Sequence, residues 1–421
     1  MIWKQKIQAG ALQFVLFIGA VIAVLLLSFV LVSYSHSLFQ KKTEVTVAVI
    51  RASDEALKKS FAEPMDIGQI KDVGLDNTLG VTTKVSKTYW GALELRRAKA
   101  KKGSFEFERL ALVGQANDER PALYLKDNQR PLVLAGNTKI QGTAYLPERG
   151  VKMGNIYGNS YYATQLIYGE EKQSQSELPK LSEEIKRQVQ LLATRNLAPK
   201  GQTVPLKREM VLKNSFTQET KVIQGDVLDL DHLTLKGNIM VVASRKILVR
   251  ATSQLHDVLL LAPSIKIENW VKGNFQAVAT KTITVGKGVE LDYPSVLAVK
   301  ANGRDSLLGQ SFEPNILLDS YAQVRGIVVY EDDGEYNRSK PHVKLDEHSK
   351  VYGEVYSTQN VELKGSVYGS ITSAGFVALE NGNIYQNHIY NGSINSEILP
   401  LEYAGISYQN TTANQVAKWV Y

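Results

Sequence analysis

The chain has 421 residues, with 49 lysines and arginines against 42 aspartates and glutamates for a net charge of +7, and it has no cysteine. A disulfide framework, a thiolate metal site and a thiol nucleophile are therefore excluded. The basic excess is scattered, which argues for no nucleic-acid partner. Its densest run, Arg96, Arg97, Lys99, Lys101 and Lys102, alternates with Ala98 and Ala100 as a solvated strand face does.

Residues 1–10 are a short tail carrying Lys4 and Lys6. Residues 11–33 then run for 23 positions without a charge. At about 1.5 Å per residue this predicts a transmembrane helix covering the roughly 30 Å hydrocarbon core. The run far exceeds the 7–15 residues of a signal-peptide core, so it reads as an uncleaved, single-pass signal-anchor in a lipid bilayer. Lys41 and Lys42 come after it and suit lipid headgroups. Two lysines on each side leave the positive-inside rule silent. The short leading tail favours the tail inside and the bulk outside the cytoplasm, in the periplasm of a bacterial envelope.

Residues 34–170 read as a β-rich, membrane-proximal region. Val45 to Ile50 alternates like a strand, and Ser53 to Ala62 reads as a short helix with Ser53 as its N-cap, ended by Pro64. Between Tyr89 and Gly114 two extended runs flank Lys101-Lys102-Gly103, a hairpin pattern. Residues 171–205 differ. From Leu178 to Leu192, Leu181, Ile185, Val189 and Leu192 stand at helical spacing, with Pro179 at the start, which predicts a linker helix.

Repeats dominate the chain beyond residue 205. Ile247/Val249, Ile265/Ile267 and Ile283/Val285 are spaced 18 apart, and Ile239/Val241, Val258/Leu260 and Phe275/Ala277 interleave with them, with Val289/Leu291 beyond. Residues 206–301 are therefore expected to form β-solenoid coils, each returning its inward side chains to one axial stack. Residues 302–342 read as a loop or insertion, 343–398 as further coils and 399–421 as a tail. In the later coils Val351-Tyr352-Gly353 and Val367-Tyr368-Gly369 are 16 apart, Ile384-Tyr385 comes 17 later, and Val361/Leu363 and Val377/Leu379 repeat the step. A left-handed coil with apolar residues every six positions fails at Ser253, so the variable steps favour a right-handed β-helix. The expected fold class is mainly β behind an N-terminal transmembrane helix.

The stretch from Lys350 to Asn395 resembles the bactofilins, polymer-forming β-helix proteins, through Val351, Gly353, Val355 and then Val367, Gly369, Ile371. The resemblance covers about three coils and implies a scaffold capable of self-association. The short basic tail and long apolar helix are also similar to type IV pilin-like proteins, with Lys6 and Gly10-Ala11 near the place of a processing site. Val15 stands where those subunits generally carry a glutamate.

Catalytic motifs are missing: there is no nucleophile elbow, phosphate loop, zinc-protease helix or dinucleotide fingerprint. The six histidines share no metal-ligand spacing, and His342 and His348 read as surface residues. Asp226, Asp229 and Asp231 could converge as the acids of a β-helix polysaccharide enzyme do, yet Asp229 and Asp231 alternate with Leu228 and Leu230 as on any half-buried strand. Glu331, Asp332, Asp333 and Glu335 read as a solvated turn around Gly334. Aromatic residues are the more informative signal. With Val351 inward, Tyr352 points outward, and Tyr368 and Tyr385 are expected above it in an exposed ladder that strengthens the sheet or seats a glycan or envelope protein. Tyr145, Tyr157, Tyr161, Tyr162 and Tyr168 form a second tyrosine-rich stretch. No cofactor or metal is expected. The sequence thus suggests a membrane-anchored, non-enzymatic structural, assembly or binding protein of the cell envelope. The alternatives are a tethered carbohydrate-active enzyme and a cytoplasm-facing polymerising scaffold.

Overall fold

The computed structural model describes residues 9–75, 80–116, 120–194, 201–302, 313–409 and 413–421. One helix, α1, runs unbroken from Ala9–Lys59 over 51 residues. Its residues 10–44 are exposed, and the apolar part is long enough to cross a membrane. Residues 34–44 extend the rod by about 16 Å past the apolar run at the helical rise. The expected strand at Val45 to Ile50 and the separate helix starting at Ser53 are both absorbed into α1. Val49, Ala52 and Ala56 fall at helical spacing and are at most 1% exposed. Continuing an existing helix needs no new nucleus, so tertiary packing overrides the strand-like alternation. Ser53 caps nothing; inside the helix its hydroxyl donates to the Ile50 carbonyl at 2.7 Å.

The second half of α1 lies on a five-stranded antiparallel sheet in the order Ile70–Asp72, Thr82–Trp90, Leu93–Lys102, Phe105–Gln115 and the C-terminal strand Asn414–Val420. The expected hairpin is present, with Lys102 opposite Phe105. Ala98 and Ala100 turn toward α1 and are fully buried. Arg96 shares their face and is only 2% exposed, contrary to the solvated strand read from the sequence. Its guanidinium donates to the Ser60 carbonyl and, at 2.9 Å, to the Ser60 hydroxyl, and pairs with Glu94. A buried cation is tolerable only with such partners, and here they lock the end of α1 to the sheet. The stretch 399–421, expected as a tail, supplies an edge strand instead.

The opposite face of this sheet, through Trp90, Leu93, Leu95, Leu110 and Leu112, packs on the second layer. That layer is a parallel, solenoid-like sheet in which each strand pairs with the strand one coil further on. Ile247, Ile265, Ile283 and Ile316 stand in register, then Val343 and Val361. A second column runs Leu291, Val324, Val351, Val367, Ile394 and Ile140. Nearly all are fully buried in one continuous core. The region 302–342 is no mere insertion: Ile316–Leu318 and Gln323–Asp332 build another coil. Two spacings misled. Val361 aligns with Phe376 rather than Val377, and Ile384-Tyr385 leaves the coil.

Order along the stack differs from order along the chain. Strands Leu123–Leu125, Lys139–Gln141 and Ala144–Leu146, grouped by the sequence with the membrane-proximal region, and Glu171–Gln173, grouped with the linker, continue the solenoid beyond its last C-terminal coil. Ile371 pairs with Leu123, Leu123 with Ala144, and Ala144 with Glu171. The chain then returns through α2 (Glu183–Ala193) toward the opposite end, where Val211–Asn214 pairs with Thr234–Gly237. The predicted linker helix is thus present but starts at Ser182, whose side chain accepts the Ile185 N–H. Leu181, Ile185, Val189 and Leu192 are all buried against the solenoid and the antiparallel sheet.

Glycine explains the V-x-G repeat. Gly326, Gly353 and Gly369 are in register and have φ of +144°, +145° and +148°. A Cβ on Gly353 would stand 1.9 Å from the Gly326 carbonyl oxygen. The coil corner closes because no side chain is there.

Candidate docking cleft

Tyr352 and Tyr368 do stack, with ring centroids 4.8 Å apart and planes 25° from parallel. Tyr385 is not the third rung. It sits on Asn383–Gln386, which folds back antiparallel onto the preceding strand, and its ring meets His388 edge-on at 5.6 Å. The outward row reads Arg325, Tyr352, Tyr368, Asn395 and Gln141. The Arg325 guanidinium covers the free side of Tyr352, 5.6 Å from the ring centre, and pairs with Asp292 at 2.7 Å. Rings stacked along the axis turn their faces to each other and their edges and hydroxyls outward. This is unlike the flat surface on which a sugar ring would lie.

The pair borders a cleft of about 1130 Å³ between the solenoid and the antiparallel sheet. Arg325, Tyr352, Tyr368 and Tyr293 form one wall; Asn414 through Trp419, with Lys58 and Phe61 at the end of α1, form the other. Residues Ile398 to Pro400, Glu402 and Tyr403 close the floor. The sequence missed all but the two tyrosines: Lys58 and Phe61 come from a segment read as a separate helix, Arg325 from one read as a loop, Tyr293 and Ile398 from coils where no pattern singled them out, and the rest from the expected tail.

A buried polar cluster fixes this floor. Tyr403 donates its hydroxyl to the Gly326 carbonyl at 3.0 Å, and Tyr293 donates to the Ala404 carbonyl at 2.9 Å. The Glu354 carboxylate accepts the Ile406 N–H at 2.7 Å and faces Arg120, whose Nε is 3.3 Å away. Burial pushes the Glu354 carboxyl above its ordinary range although Arg120 opposes this. Arg120 also donates to the Tyr403 carbonyl and covers the Tyr403 ring at 4.7 Å.

The other candidates do not converge. Arg250 grips Asp229 through two 2.8 Å bonds, Arg245 and Ser244 hold Asp226, and Thr252 with His232 holds Asp231. The hydrogen bonds from these partners keep the Asp226 and Asp231 carboxyls below the usual range, the opposite of what an acid catalyst needs. Glu331 and Asp332 are buried rather than solvated, and Glu331 lies 3.8 Å from both Lys186 of α2 and Lys300. His342 is buried as well, 5.1 Å from the Tyr330 ring, and burial pushes its pKa down to about 4. His348 stays at the surface, stacked on Tyr321 at 4.9 Å. Of the second tyrosine cluster, Tyr145 stacks on Tyr124 at 5.4 Å, Tyr168 lies under Lys139, and Tyr161 is buried. Among the described residues no group of three His, Asp or Glu is placed to hold a metal. No family model, curated protein or solved structure matches the chain.

Proposed function

We propose that the protein is a membrane-anchored, non-enzymatic docking or assembly protein of the cell envelope, with the bulk of the chain outside the cytoplasm and a partner held in the cleft. The observation that carries this reading is the cleft itself, a large aromatic and basic recess whose two walls come from different layers and are fixed by buried hydrogen bonds. The three acids that the carbohydrate-active alternative named, Asp226, Asp229 and Asp231, are each engaged by a neighbour. The coil is taken as right-handed, since in-register steps range from 16 residues between Val351 and Val367 to 33 between Ile283 and Ile316. A photo-reactive phenylalanine analogue at Gln415, in the full chain in its native membrane, tests the reading. It should trap a distinct species that is lost in the Tyr352→Ala/Tyr368→Ala variant, while a probe at exposed Trp270 should not. Equal trapping from both positions refutes it.

A second reading rests on α1. Its bare apolar rod, which carries the resemblance to pilin-like proteins, suits packing against the same helix of other copies. Helix-to-helix cross-links between copies, through positions 15–30, would favour it. Bactofilin-like polymerisation instead predicts solenoid ends in contact, and filaments in micrographs.

A further inference from the structure

The cleft wall formed by Asn414–Val420 is an outer strand of the antiparallel sheet, paired among the described residues on one side only, with Phe105–Gln115. A strand at an edge leaves every other N–H and C=O without a sheet partner. Six of its seven residues, Asn414 to Trp419, line the cleft, so this open row faces the recess. We propose that the occupant is an extended, acidic peptide segment that adds to this edge as a sixth strand; the inference rests on the docking reading above and names its partner.

Four observations point the same way. At about 3.4 Å per residue the edge offers roughly 24 Å of backbone, enough for an added strand of some seven residues. The cleft, about 1130 Å³, exceeds the roughly 300–1,000 Å³ typical of small-molecule sites. Register slips at Ala417, between Val416 and Lys418, and such an edge bulge hinders pairing with another flat sheet while a flexible segment can follow it. This disfavours a second copy of the chain as occupant. Finally, the lining carries Lys58, Arg325 and Lys418 against Glu402 alone. Asp292 holds Arg325 and Asp257 holds Lys418 at 2.5 Å, but Lys58 has no ion-pair partner among the described residues. Phe61, Tyr352, Tyr368 and Trp419 offer apolar seats for alternate side chains, as strand addition requires.

The test uses the full chain in lipid nanodiscs and a fluorescent, acetylated heptapeptide of alternating glutamate and valine. Saturable binding is expected, with new amide-exchange protection in residues 414–420. N-methylating every backbone amide of the peptide removes its hydrogen-bond donors and should weaken binding tenfold or more, as should Lys58→Glu. Equal binding of the methylated peptide, protection at Ile70–Asp72 instead, protection arising from dimerisation, or no binding at millimolar peptide each overturns strand addition. If Gln415 still traps a partner while the amides of 414–420 stay unprotected, docking stands and only strand addition falls. If trapping also fails, both fall.

Discussion

Replacing Gly353 with alanine probes the coil corner directly. The new Cβ would stand 1.9 Å from the Gly326 carbonyl oxygen, a backbone atom that no rotamer change can move. The residue would also keep φ near +145°, where an L side chain costs about 1–3 kcal/mol. Overpacking adds about 1–3 kcal/mol, so the coil should lose about 4 kcal/mol. In a solenoid that loss is felt mainly by the nearest coils. Amide-exchange protection across Lys350–Leu363 and Ser366–Glu380 should therefore fall by about a thousandfold, since about 1.4 kcal/mol is a factor of ten. Gly382→Ala is the control: its φ is +80° but nothing lies within 4 Å of the added atom. It should cost about 1–2 kcal/mol, from strain alone. If Gly353→Ala exchanges within threefold of the parent, close approach is not what selects glycine in the repeat.

Other outcomes follow from the buried charges and the anchor. His342 has a pKa of about 4 in place of 6.5, so its neutral form adds stability above pH 6.5 that is lost as the pH falls toward 4. The loss should total about 3 kcal/mol at 1.36 kcal/mol per unit, and His342→Phe should abolish that slope in urea melts followed by fluorescence. Glu354 has the opposite sign. Its carboxyl is raised, so its contribution is full below the usual glutamate range and declines as the pH rises through the raised value. Glu354→Gln keeps an acceptor for the Ile406 N–H and should remove the decline, whereas Arg120→Ala should cost about 3–5 kcal/mol by leaving the carboxylate alone. Ile22→Arg places a charge at mid-span and should raise the insertion free energy by about 3 kcal/mol, measured as loss of carbonate-resistant membrane protein.

Periodicity made much of this fold legible. Isoleucine pairs 18 residues apart named the coil columns because inward positions of a solenoid must be apolar at every turn, and the long uncharged run named the anchor. Local pattern failed where distant partners decide. Val45 to Ile50 alternates, yet the sheet beneath it selects helix; Arg96 looks solvated until the Ser60 carbonyl is placed against it. Ile384-Tyr385 matched the repeat by spacing alone, while Asn395, in register with Tyr368, has no aromatic ring to betray its place. The cleft was half readable. Its tyrosines sit in repeats, but Trp419, Tyr403 and Lys58 come together only when three remote segments meet, and no spacing encodes that.

Because the final coils of the stack are encoded early, biosynthesis and architecture run out of step. Leu123 emerges from the ribosome about 250 residues before its neighbour Ile371, and elongation at about 5–20 residues per second makes that an interval of roughly 12–50 s. For that time the early segment has no template, and the antiparallel sheet lacks the strand contributed by the last residues. A product truncated before Ile371 would therefore lack both the coil that templates Leu123–Leu125 and the strand Asn414–Val420, presenting open edges to quality-control proteases. Only a finished polypeptide can close on itself.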